Sequence, residues 1–211
     1  MINLKSFIYL IVAVVSSSAQ AGSYEDFFAA LSRDDAAAVQ ALLVRGFDPN
    51  TRDPRGQPAL TLALQGGQLA VAERLVTHPQ AEVDVANEVG ETPLMLAALK
   101  GHVAWVERLL ERGAQPHRPG WSPIHYAATG PAPQLVDRLL DRGAPIDAEA
   151  PNGTTPLMMA ARYGSEKAVD RLLARGADPK RRNQLGLSAA DFARDGGREA
   201  LEKRLRKLEA G

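Results

Sequence analysis

The 211 residues carry 25 lysines and arginines against 25 aspartates and glutamates, and 45% of them are hydrophobic. A net charge of zero lacks the cationic excess of a dedicated nucleic-acid binder, while the apolar fraction is ample for a folded core. The absence of cysteine excludes disulfides, thiolate metal sites, a cysteine nucleophile and a cysteine-borne lipid anchor.

The opening stretch, MINLKSFIYLIVAVVSSSAQA, is built like an export signal. Lys5 supplies the positive region, Phe7 to Val15 the apolar core, and Ala19-Gln20-Ala21 a small-x-small cleavage site. Nine apolar residues are too few for a hydrocarbon layer that needs roughly 20. Residues 1–21 are therefore expected to be cleaved rather than kept as an anchor. The expected product is an exported, soluble chain, periplasmic if the source is Gram-negative and secreted otherwise. The chain that remains is long enough to bury the apolar surface it needs and to fold without disulfide staples.

Residues 22–51 predict a helix pair, with Asp35 as an N-cap and Gly46 as a terminator. Five similar segments follow: RGQPALTLALQGG, VGETPLMLAALKG, PGWSPIHYAATGP, NGTTPLMMAARYG and LGLSAADFARDGG. Their leading glycines, Gly56, Gly90, Gly120, Gly153 and Gly186, recur at a near-constant interval, the first slightly long and the second short. Thr92, Ser122 and Thr155 precede Pro93, Pro123 and Pro156: a hydroxyl N-cap before a proline at the first helical position, where its missing amide hydrogen costs nothing. Each such helix is expected to end at a left-handed glycine, as at Gly101 or Gly164. A second helix then carries Val106, Leu109 and Leu110, Val136, Leu139 and Leu140, or Val169, Leu172 and Leu173 at helical spacing. It stops at Gly113, Gly143 or Gly176. Isolated helices shorter than about 12 residues are marginal in water, so each pair must bury its apolar face against the next, giving a one-dimensional stack.

These segments resemble the ankyrin repeat, with its period of about 33 residues and T-P-L-H-x-A signature, over nearly the whole chain after residue 21. The resemblance implies an all-α fold, an ankyrin-repeat α-solenoid of about six stacked helix pairs with short hairpin fingers. Its parts are an N-terminal cap at 22–51, repeats at about 52–85, 86–115, 116–148 and 149–181, and a C-terminal cap at 182–211. In the last cap Leu201, Leu205 and Leu208 form the expected apolar stripe, with charged residues opposite. Several departures predict local differences. Three residues are missing before Gly120, which shortens that finger. Pro79 takes the place of a terminating glycine in VTHPQAEVD. Pro58-Ala59 breaks the Thr-Pro order, and Pro131 and Pro133 alter the turn in the third repeat.

No catalytic constellation emerges. His125 and His102 stand where the ankyrin pattern commonly has histidine, and none of His78, His102, His117 and His125 has a metal-ligand spacing. Asp34-Asp35 and Asp191 suit helix capping. The runs Lys180-Arg181-Arg182 and KRLRK lie near acids without interleaved aromatics, which suits solvated surface better than nucleic acid. Asn152-Gly153-Thr154 matches a glycosylation sequon formally, but Asn-Gly favours a tight turn. The expectation is a non-enzyme without metal or cofactor, without membrane insertion after cleavage, and monomeric.

The resemblance implies binding of a partner protein through a concave face and finger tips. The positions that the repeat leaves variable there are Val89, Glu91, Leu99, Lys100, Arg118, Trp121, Thr154, Arg162 and Tyr163, with Thr129 in the altered third repeat. Trp121 and Tyr163 stand out, because interface hot spots are enriched in Trp, Tyr and Arg. Two readings of Trp121 remain, a binding anchor or a plug over the shortened finger; Trp105 is assigned to packing. Alternative roles are an effector or inhibitor acting on a host or competitor protein, and an assembly chaperone for an exported enzyme.

Overall fold

A computed structural model describes residues 22–211, so the predicted export signal lies outside the described residues. Among these, twelve helices and one isolated antiparallel bridge, Arg52 to Pro58, form the regular structure. They fall into two compact units, one ending at Glu82 and one spanning Val83–Gly211.

The first unit contains α1 (22–32), α2 (Ala36–Val44), α3 (Ala59–Gly66) and α4 (Leu69–Thr77). Asp35 caps α2 as expected, its carboxylate accepting the Ala38 amide at 3.0 Å. Buried Phe27 stacks on Phe47 with ring centroids 4.6 Å apart. Asp34 has a left-handed backbone, φ 55°, uncommon for a residue with a side chain. That conformation accompanies a capping role in the next pair: its carboxylate accepts the amides of Val71 at 2.8 Å and Ala70 at 3.3 Å. These are first-turn donors of α4, whose own N-cap Gln68 makes no side-chain cap bond. Helix α4 stops at Thr77, and His78 turns extended because Pro79 follows it.

The second unit holds α5 (Pro93–Lys100), α6 (Val103–Glu111), α7 (Pro123–Thr129), α8 (Gln134–Asp141), α9 (Pro156–Tyr163), α10 (Glu166–Ala174), α11 (Ala189–Asp195) and α12 (Glu199–Ala210). First helices pack in file, α5 on α7, α7 on α9 and α9 on α11, while α8 packs on α10. Thr92 and Thr155 accept the amides of Met95 and Met158, both at 3.4 Å, and proline opens each helix. Leu94, Met95, Leu109, Ile124, Leu135, Leu157 and Leu172 are fully buried between the layers, and Trp105 is buried on α6. Gly113, Gly143 and Gly176 follow the second helices with left-handed backbones, at φ 92°, 91° and 93°. The third turn is altered as expected: Gly130 is extended and Pro133 caps α8.

Two expectations require correction. Gly101 is left-handed at φ 72°, but Gly164 is extended, with φ −85° and ψ 179°. Glycine is needed there for closeness, since a Cβ would lie 2.1 Å from the carbonyl oxygen of Ala128 on α7. The stripe of α12 is also shorter than expected. Leu201 and Leu205 are buried, whereas Leu208 is 42% exposed, because no further pair follows to cover it.

Two features tie successive pairs together. Arg198, at the start of α12, donates to the carbonyls of Ala160, Ala161 and Gly164 at 3.0, 3.0 and 2.9 Å, covering acceptors that the end of α9 leaves unpaired. Along the second helices, each acid reaches an arginine one pair on. Glu107 meets Arg138 at 3.3 Å and Arg142 at 3.4 Å, Asp137 meets Arg171 and Arg175, and Asp170 meets Arg204 at 2.6 Å.

Candidate functional site

Helices α5, α7 and α9 present their exposed sides together, and the finger before α7 brings Trp121 over them. Ser122, next in the chain, occupies the N-cap of α7 and so sets where the indole can lie. Trp121 meets His125 edge-on, with ring centroids 5.2 Å apart and planes at 73°. Such contacts between aromatic rings are worth about 0.5–1.5 kcal/mol beyond area burial.

His125 is itself locked. The Ser122 amide donates to Nδ1 at 3.2 Å, so that nitrogen must be an acceptor, and Nε2 then donates to the Thr154 carbonyl at 3.1 Å. Burial pushes its pKa below 6.5, the bonds to Thr154 and Ser122 opposing that trend. The ring is a neutral strut joining two repeats, in line with the structural role expected of it.

Beside it, the Tyr126 hydroxyl donates to Glu91 Oε1 at 3.1 Å. Asn87 Nδ2 donates to Glu91 Oε2 at 3.0 Å, and the Glu91 amide donates back to Asn87 Oδ1 at 2.8 Å. Burial, and then the Glu91 charge, push the Tyr126 phenol up to about 12, so it stays protonated and donating. These groups border a pocket of about 230 Å³ lined by Leu99, Trp121, His125, Tyr126, Thr129 and Met159. The lining runs along α7 from its finger to its last residue and is largely apolar.

The nine expected partner-binding residues divide clearly. Leu99 and Trp121 line the pocket, and both are 37% exposed. Trp121 is neither sealed under the short finger nor free of it. Glu91 borders the pocket through Tyr126, and Lys100 lies exposed beside Leu99 at the end of α5. Arg162 stands one turn beyond Met159, its guanidinium 5.1 Å from the Tyr163 ring centre and 3.9 Å from Asp195. Tyr163 is 59% exposed but does not line the pocket. Val89 is exposed at a finger tip, away from the lining, and Arg118 is half-buried, donating to the Gly90 carbonyl at 3.1 Å.

Thr154 is a correction: it is buried at 1% exposure and its carbonyl serves His125. The tight Asn152-Gly153 turn, with Gly153 at φ 76° and Asn152 Oδ1 accepting the Thr154 amide, folds that residue inward. Tyr126 and Met159 carry no signal of a site in the sequence. Each neighbours a signature position, and only the side-by-side packing of α7 and α9 turns both toward one opening.

Other sequence features resolve into structure. Asp84 and Asp147 hold the following fingers by accepting the amides of Gln115 and Asp178. The basic runs are substantially paired: Arg181 with Glu149, Arg204 with Asp170, and Arg206 with Asp191. Among the described residues, no cluster of histidines and acids is placed to hold a metal, and no helix is long and apolar enough to cross a membrane.

The family model for ankyrin repeats (3 copies) matches residues 27–119 and 115–183. Mouse ankyrin repeat and SAM domain-containing protein 6 is similar at 34% identity over 111 residues, 51% of this chain and 13% of that protein. Human neurogenic locus notch homolog protein 4 is 43% identical over 74 residues, 33% of this chain and 4% of the relative. YahD of Escherichia coli (strain K12) is 29% identical over 126 residues, 56% of this chain and 63% of the relative. The chain therefore spans less than two thirds of each of these relatives. The period, the capped Thr-Pro helices packed in file and the family match agree, and the chain belongs to the ankyrin-repeat family.

Proposed function

We propose that the chain is a non-catalytic protein–protein interaction module that captures a partner on the face carrying the pocket of α5, α7 and α9. One observation carries this reading: Leu99 and Trp121, both large and apolar, are held partly exposed around an apolar opening. Nothing in the repeat itself requires large groups at those positions. A surface prepared in this way loses little ordering entropy when a partner docks. Fold alone does not fix function, so the reading rests on the pocket.

The test is capture from the native exported fraction with the protein as bait. Trp121→Ala with Tyr163→Ala should abolish capture and leave the melting temperature nearly intact, because only the edge contact with His125 is lost from the folded chain. Unchanged capture with a large loss of stability would overturn the assignment.

We further propose that residues 1–21 direct export. Fractionation then separates a periplasmic resident, including an assembly chaperone, from an effector found outside the cell. A chain retained in the cytosol with residues 1–21 intact would refute export.

A further inference from the structure

The charges around the pocket are ordered. At the end of α5 and α9 lie cations: Lys100 is exposed and without an ion pair among the described residues, and Arg162 has only a long 3.9 Å approach to Asp195. Toward the start of α5 lies Glu91, bonded to neutral donors of Tyr126 and Asn87 and without an ion pair among the described residues. Each carboxylate oxygen keeps a further acceptor site. Between them the wall is apolar, and at about 230 Å³ the pocket is smaller than the roughly 300–1,000 Å³ of typical small-molecule sites. That size suits one side chain of a larger partner.

Resting on the interaction reading above, we propose that the pocket takes one large apolar side chain of an extended partner segment, whose acidic residue meets Lys100 and Arg162 and whose basic residue meets Glu91. Glu91 and Lys100 are nine residues apart, about 13 Å at the helical rise of ~1.5 Å. An extended chain covers that distance in about four residues, at ~3.3 Å each. The recognised segment is therefore short, with opposite charges on either side of its apolar anchor, and the order of those charges fixes the direction in which it lies. Rim charges of this kind set orientation and specificity more than affinity, and they are screened by salt.

The experiment is selection from a random dodecapeptide display library on the protein, followed by fluorescence titration of an enriched peptide at low and physiological ionic strength. The protein should enrich peptides with a large apolar residue between one basic and one acidic residue in a fixed order. Lys100→Gln with Arg162→Gln should erase the acidic preference and weaken the enriched peptide about tenfold at low salt. Glu91→Gln, which keeps an acceptor for Tyr126, should erase the basic preference alone. Trp121→Ala should remove enrichment altogether. Apolar peptides enriched without charge order, and lost with Trp121→Ala, would overturn this inference and leave the interaction reading standing. Enrichment indifferent to Trp121→Ala, or none at all, would overturn both.

Discussion

Gly164→Ala separates helix propensity from packing, because the two predict opposite signs. Gly164 has an ordinary φ of −85°, and at an unstrained site replacing glycine by alanine stabilises by about 0.4–1 kcal/mol through the unfolded chain. The structure puts the new Cβ 2.1 Å from the Ala128 carbonyl oxygen, 2.9 Å from Ala160 Cα and 3.0 Å from Ala160 O. All three are backbone atoms, so no side chain can rotate away. Relief requires α9 to move from α7 by about an ångström in a layer packed as densely as a crystal, around buried Ala127, Ala128, Ala160 and Ala161. Overpacking of this kind costs about 1–3 kcal/mol, and the rigid neighbours place the expectation at about 3. At ~2–4 °C per kcal/mol for a chain of this size, the thermal midpoint should fall by about 5–10 °C. Gly113→Ala is the control. Its φ is 92° with nothing within 4 Å of the added Cβ, so only the left-handed backbone is penalised, at about 1–2 kcal/mol. Urea and thermal unfolding followed by circular dichroism provide both comparisons. A Gly164→Ala protein as stable as the parent, or more stable than Gly113→Ala, would refute the close-contact account.

Arg198→Met removes the guanidinium that serves three carbonyls of α9 and should cost about 2 kcal/mol, measurable as a lower urea midpoint. Acid should also weaken the fold. His125 has a folded pKa below its unfolded 6.5, so the unfolded chain takes up the proton first; its full contribution holds above about 6.5 and declines as the pH falls toward the folded value. Thermal midpoints between about pH 8 and pH 5 should show this decline, and His125→Gln should flatten it. At lower pH, Asp191 behaves likewise. Burial pushes its pKa up, but Ser188 and Arg206 outweigh that and hold it at about 2 against 3.8 unfolded, so its stabilisation is present above 3.8 and lost as the pH falls through 2. Asp137→Asn should cost about 0.5–1 kcal/mol at low salt and less at high salt, since exposed ion pairs are screened; equal losses at both salts would count against the ladder.

The repeat positions were readable because their causes are local. A Thr-Pro pair caps a helix whatever surrounds it, and Gly113 leaves its helix with positive φ for reasons contained in its own dihedrals. Asp35, Pro79 and the altered turn at Pro131 and Pro133 were foreseeable on the same ground. Gly164, Asp34 and Thr154 were not. Gly164 resembled Gly101 in the sequence, yet its need for glycine comes from Ala128 on another helix. Asp34 resembled its neighbour Asp35, yet it caps α4 in the following helix pair. Thr154 occupied a variable position and was counted as surface, until the turn before it and the bond from His125 put it inside.

The candidate site shows the same division. Leu99, Lys100, Glu91, Trp121 and Arg162 were identifiable as positions the repeat leaves free. The pocket among them was not, because Tyr126 and Met159 belong to it only through the lateral packing of α7 and α9. Sequence by itself determined the family, the helix pairs, their caps and most of their ends, since each depends on dihedral preference and hydrogen bonding within a few residues. Tertiary structure alone decided which free positions share one opening, which glycines are demanded by a neighbouring backbone, and which acids clasp the next repeat, because those depend on distances between helices a whole repeat apart in the chain.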